Sequence, residues 1–86
     1  MPRYYFHLRN DLDVTDTEGT ELATFELAEA EAYRLVRDMV AAAAVETGRI
    51  DLAHSIEVAS ETGQILLTVP YGKGVRVECN GEAVGA

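Results

Sequence analysis

The sequence predicts an α+β domain: an antiparallel-rich sheet of three to five strands with one long helix packed on one face. Three observations carry this. Residues 3–9, RYYFHLR, alternate in side-chain character with period two, the mark of a half-buried strand. Residues 25–47 repeat apolar side chains at spacings of three and four and are followed by Gly48, which reads as a capped amphipathic helix. Residues 55–70 hold two alternating runs on either side of Glu61-Thr62-Gly63, which reads as a hairpin. The order is hairpin, helix, hairpin, with room for one more C-terminal edge strand.

In the first strand, Tyr4, Phe6 and Leu8 point to the core, and Tyr5, His7 and Arg9 to the opposite face. Asn10-Asp11 supplies turn residues. Residues 12–16 (LDVTD) alternate weakly and are expected to fold back as a short second strand with Leu12 and Val14 inward, followed by a turn at Thr17–Thr20. Thr24 caps the helix, and Glu26 sits in its first turn, where the helix dipole favours negative charge. Phe25, Ala28, Ala32, Leu35, Val36, Met39 and Ala43 form the apolar stripe, and Arg34 can pair with Asp38 one turn on.

A helix of this length reaches about 34 Å, whereas a strand of five or six residues covers roughly 17–20 Å. The helix end is therefore expected to overhang the sheet. The small side chains at 41–44 allow another backbone to approach there, making Met39, Ala42 and Ala43 a candidate self-association surface.

In the second hairpin, Ile56 and Val58 face inward, as do Ile65, Leu67 and Val69. Gly63 suits a positive φ, and Pro70 belongs at an edge or at the end of pairing. Residues 71–74 (YGKG) read as a turn. Val75, Val77 and Cys79 alternate as the optional edge strand. The domain is expected to span 1–79, with 80–86 a flexible tail. The outer sheet face then carries Tyr5, His7, Arg9, Glu57, Leu66, Thr68 and Arg76.

With 86 residues the chain makes one domain with a small core. A single cysteine, Cys79, rules out an internal disulfide and fits a reducing compartment. No segment has the length and apolarity to span a bilayer, and none reads as a secretory leader, so a cytoplasmic location without membrane attachment is expected. The net charge is −8, and residues 1–31 carry eight acidic and two basic side chains. Without a lysine or arginine cluster to neutralise phosphates, nucleic acid is not an expected partner.

The candidates for chemistry are sparse. His7, flanked on its face by Tyr5 and Arg9, is the strongest, because a strand histidine on an open face can titrate or contact a ligand. His54 follows the helix connector. His7, His54 and Cys79 are spaced by 47 and 25 residues and match no short zinc pattern. Counted as a calcium loop from Asp11, the sixth residue is Asp16 and the twelfth Leu22, where glycine and glutamate are needed. YGKG lacks the rest of a phosphate loop. No catalytic residue, metal or cofactor is assigned from these residues.

The ordered set MPRYYFHLR, TEGTEL, ATFELAEAEA, GRIDL and IEVASETGQILLTVPY resembles a family of small bacterial proteins common in rhizobia and related alphaproteobacteria, domain of unknown function 6894. In that family an MPRYFFH-like start precedes an aspartate-rich turn, EEGxEL, PDLEAARxEA and FEVxDExGxxLxxxPF. The likeness covers residues 1–71. His7, Gly19, Leu22, Gly63, Pro70 and Tyr71 match family positions, while Ala23-Thr24 stands where the family has Pro-Asp. The resemblance implies kinship and a fold, and carries no activity with it.

The expected role is thus a non-enzymatic interaction or self-associating module whose partner is a protein or a second copy. Tyr5, His7 and Arg9 form its candidate interaction face. The alternatives are an enzyme using His7, acting on a small molecule or with a metal, and a regulatory partner of toxin–antitoxin type.

Overall fold

The computed structural model describes residues 1–76, 78–79 and 82–83. Its elements are β1 (Arg3–Arg9), β2 (Thr20–Glu21), α1 (Phe25–Thr47), β3 (Ser55–Ala59), β4 (Ile65–Pro70), the single helical turn α2 (Tyr71–Gly74), β5 (Glu78–Cys79) and β6 (Glu82–Ala83). Strands β2-β1-β3-β4 form an antiparallel sheet in that order, and β5 pairs with β6 separately. One long helix on a four-stranded antiparallel sheet is the α+β arrangement expected from the sequence.

Helix α1 begins and ends on local chemistry. Thr24 Oγ1 accepts the Leu27 N–H at 3.2 Å, and Gly48 adopts a left-handed φ of 69° with its N–H on the Ala44 carbonyl. Arg34 bridges Glu31 and Asp38 on the exposed face. Ala28, Ala32 and Val36 are fully buried. Two alanines in this row let the helix backbone approach the sheet, where Tyr4, Ile56, Val58 and Val69 complete the core, with Phe6, Leu8 and Leu67 at its margin. From Ala41 to Thr47 every residue but Ala43 is exposed, as an overhanging helix end requires.

The second hairpin turns as its sequence suggests. Gly63 donates to the Ser60 carbonyl at 3.0 Å, has φ 88°, and Ser60 then pairs with Gln64. The strand after it departs from expectation. Val58 faces Leu67 while Ala59 faces Ile65, so β4 carries an extra residue there. This bulge breaks the alternation and leaves Ile65, expected inward, 44% exposed.

The first hairpin also departs from expectation. Asn10 Oδ1 accepts the N–H groups of Leu12 and Asp13, and Asp13 adopts φ 50°. The chain meets β1 again at Val14, which exchanges two 2.8 Å bonds with Leu8. Residues 12–16 form no strand beyond that bridge, and Leu12 and Val14 are 82% and 50% exposed rather than inward. The short strand lies further on at Thr20–Glu21, where a turn was expected, opposite Tyr4 and Arg3. The pairs Leu8–Val14 and Tyr4–Thr20 span four residues of β1 but six of the returning chain, so two residues loop out between them.

The sequence 71–74, expected as a turn, forms the helical turn α2, packed on α1. Gly74 lies so close to Val36 that a Cβ there would overlap its side chain, and Arg37 Nε donates to the Gly74 carbonyl at 3.2 Å. Arg76, expected on the outer sheet face, lies beyond the sheet and pairs with Glu78. Glu78–Cys79 joins Glu82–Ala83 rather than the main sheet. Val77 of the expected edge strand, and residues 80, 81 and 84–86 of the expected tail, lie outside the described residues. No helix among the described residues is long and apolar enough to cross a membrane.

Candidate functional site

Two places gather polar side chains. The first is the outer sheet face, where β1 and β3 set Tyr5 opposite Ala59 and His7 opposite Glu57. The three candidates Tyr5, His7 and Arg9 do share this face, and each is half-buried. Arg9 Nε donates to Glu57 Oε1 at 2.7 Å. His7 Nδ1 accepts the Asp16 N–H at 3.1 Å. The Asp16 carboxylate in turn accepts from the backbone N–H groups of Phe6, Glu18 and Gly19 at 3.0–3.1 Å. Burial pushes the Asp16 carboxyl up, but these donors, from Gly19, Phe6 and Glu18, with attraction to the His7 ring whenever that ring carries a charge, outweigh it and hold it below its ordinary 3.8.

The acidic segment 10–19 is thereby given a structural use. Asp16 fills the gap in the β2–β1 ladder by satisfying Phe6, and Gly19 (φ 71°) closes the loop against the side chains of Arg3 and Tyr5. A shallow depression of about 200 Å³ remains, lined by residues including Tyr5, His7, Ala59 and Glu61.

The second place is a cleft of about 330 Å³ where four distant segments meet. Met39, Ala42, Ala43 and Glu46, on one face of the helix end, line it together with Arg49. His54 enters from the connector, with Nε2 at 3.3 Å from Asp51 Oδ2 and 3.6 Å from Asp11 Oδ1. Its ring meets Tyr71 edge-on, with centroids 5.7 Å apart. The Tyr71 N–H also donates to the His54 carbonyl at 2.7 Å. Burial raises the Tyr71 phenol above its ordinary 10.0.

Both histidines line a depression, but His54 sits in the deeper setting, with Asp51 and Asp11 carboxylate oxygens 3.3 and 3.6 Å from its Nε2. The local signal was present in Asp51-Leu52-Ala53-His54: Asp51 Oδ1 accepts the Ala53 N–H at 2.9 Å and the Asp51 carbonyl accepts the His54 N–H, which is an aspartate-initiated turn. Nothing in the spacing announced that Asp11 and Tyr71 would join it. Among the described residues, no group of three or more His, Cys, Asp or Glu side chains is placed to hold a metal ion.

Comparison with known proteins gives one family. The model of a family described as Domain of unknown function (DUF6894) matches residues 3–72, which is more than half of the chain. No curated protein and no solved structure matches.

Proposed function

The chain belongs to the DUF6894 family, and from its own geometry we propose that it is a cytoplasmic binding module, acting through protein contacts rather than catalysis. The cleft beside His54 is its recognition site. The observation that supports this reading is the lining of the cleft. Met39, Ala42 and Ala43 give it apolar surface and Asp11, Asp51 and His54 give it polar atoms, the combination that orients a protruding side chain of a partner. Three carboxylates, of Asp11, Glu46 and Asp51, against the one guanidinium of Arg49 favour a basic partner, in keeping with a net charge of −8.

The outer face receives a smaller part in this proposal. Arg9 and His7 are already engaged by Glu57 and Asp16, so the polar atoms that a ligand needs there are partly spent within the fold. Affinity capture from native cell extract tests the assignment, comparing the wild-type chain with Ala43→Arg and with Tyr5→Ala/Arg9→Ala. A partner lost on Ala43→Arg and kept by the double variant supports the cleft. The reverse pattern transfers the role to the sheet face, and identical partner sets for all three proteins overturn both.

A further inference from the structure

We infer that the His54 cleft takes the ammonium group of a lysine on a protein partner, and that a proton on His54 displaces it. This occupant and this control rest on the reading of the cleft as a recognition site. Three acceptor atoms meet at one point of the cleft. Asp51 Oδ2 and Asp11 Oδ1 lie 3.3 and 3.6 Å from His54 Nε2. They come from the connector before β3 and from the turn after β1, so only the folded chain brings them together. A neutral His54 with its proton on Nδ1 offers Nε2 as the third acceptor. An ammonium carries three N–H donors, one for each. Both carboxylates are open to a partner, Asp11 at 94% exposure.

The geometry favours lysine over arginine. A guanidinium seeks both oxygens of one carboxylate. Asp51 does not have both to give, because its Oδ1 already accepts the Ala53 N–H at 2.9 Å. Single oxygens from two residues suit a compact ammonium instead. Met39, Ala42 and Ala43 offer apolar surface in the same cleft for the methylene stem of the lysine. The end of α1 adds to the attraction. Its last turn carries no basic side chain to offset the negative pole of the helix, and Ala43, Glu46 and Thr47 of that end line the cleft.

Control follows from the same three atoms. A proton on Nε2 turns it from acceptor into donor and sets a positive charge within 3.6 Å of both carboxylates. The ring then holds the oxygens that the ammonium needs. Histidine is the side chain whose charge changes near neutrality, so affinity for the lysine falls as pH is lowered. The other charged and titratable groups around the ring leave this sign unchanged. Glu46 attracts the ammonium, and Arg49 is a cation throughout. The Tyr71 phenol, raised above its ordinary 10.0, stays neutral. Arg9 of β1 and Glu57 of β3 hold each other at 2.7 Å.

NMR titration of the full chain with three capped tripeptides, Gly-Lys-Gly, Gly-Arg-Gly and Gly-acetyllysine-Gly, at about pH 8 and about pH 5.5 tests it. The expected result is millimolar binding of the lysine peptide at the higher pH, with shifts at the Ala43, Asp51 and His54 amides. The arginine peptide binds more weakly, and the acetylated one does not bind. Lowering the pH weakens the lysine peptide by about fivefold or more, the effect of two like charges about 4 Å apart in water. His54→Gln removes this dependence. Asp11→Asn, at an exposed position, and Asp51→Asn, which keeps an oxygen for the Ala53 N–H, each lower the affinity at the higher pH. Arginine bound as tightly as lysine overturns the inference, as do shifts that lie elsewhere. So does a wild-type affinity equal at both pH values, or a pH dependence that His54→Gln retains. A chain that ignores the lysine peptide yet loses a captured partner on Ala43→Arg overturns the inference and leaves the reading of the cleft standing.

Discussion

The Asp16 carboxylate stands 3.1 Å from the backbone N–H of Phe6, at the point where β1 lacks a neighbouring strand. It replaces the carbonyl that a regular ladder would have offered, and it also holds the Glu18 and Gly19 N–H groups. A bond from a peptide N–H to a charged acceptor contributes about 1.5–3 kcal/mol. Asp16→Ala should therefore destabilise the fold by about 2–3 kcal/mol, measured by urea denaturation with an unchanged slope.

The same carboxylate gives a pH dependence of known sign. Its pKa in the folded chain is lowered, so the unfolded chain binds the proton more tightly. The stabilisation is complete above the ordinary value of 3.8 and is lost as pH falls through the lower folded value. Unfolding midpoints followed downward from neutral pH should fall more steeply for the wild type than for Asp16→Asn once that region is reached. Parallel curves for the two proteins would remove Asp16 from the account.

His7 accepts through Nδ1, which requires the neutral ring to carry its proton on Nε2. Nitrogen NMR on labelled histidine should show that tautomer. His7→Ala should cost about 1 kcal/mol from the lost hydrogen bond, while His7→Asn, which offers an oxygen near the same position, should retain part of it. A structural histidine gives this graded order; no difference between the two variants contradicts the assignment.

Three glycines should answer differently to alanine. At Gly19 a Cβ meets Arg3 Cγ at 2.7 Å and Tyr5 Cε2 at 2.9 Å, on top of a left-handed φ. At Gly63 only the φ of 88° opposes it, with open space around, so the cost is about 1–2 kcal/mol. Gly74 has an ordinary φ but its Cβ would overlap Val36, which is fully buried. Thermal melts should rank Gly63→Ala as mildest. Val36→Ala, itself destabilising, should cost less on top of Gly74→Ala than alone, and its full cost on top of Gly19→Ala.

What the sequence settled is what depends on neighbours along the chain. Period two divided Tyr4, Phe6 and Leu8 from Tyr5, His7 and Arg9 because successive strand side chains must alternate. Thr24 and Gly48 marked the helix ends, and Gly63 the hairpin, because capping and positive φ are properties of single residues and their near neighbours. The tertiary structure decided what depends on distant groups. The return strand lies at Thr20–Glu21 rather than at residues 12–16, and between them Asp16, nine residues past His7, holds the unpaired Phe6 N–H of β1, a contact that no local pattern records. YGKG became a helical turn because glycine at 74 fits against Val36 on another element. His54 gained a cleft for the same reason: Asp11, Met39 and Tyr71 reach it through packing, and packing is a property of the whole chain.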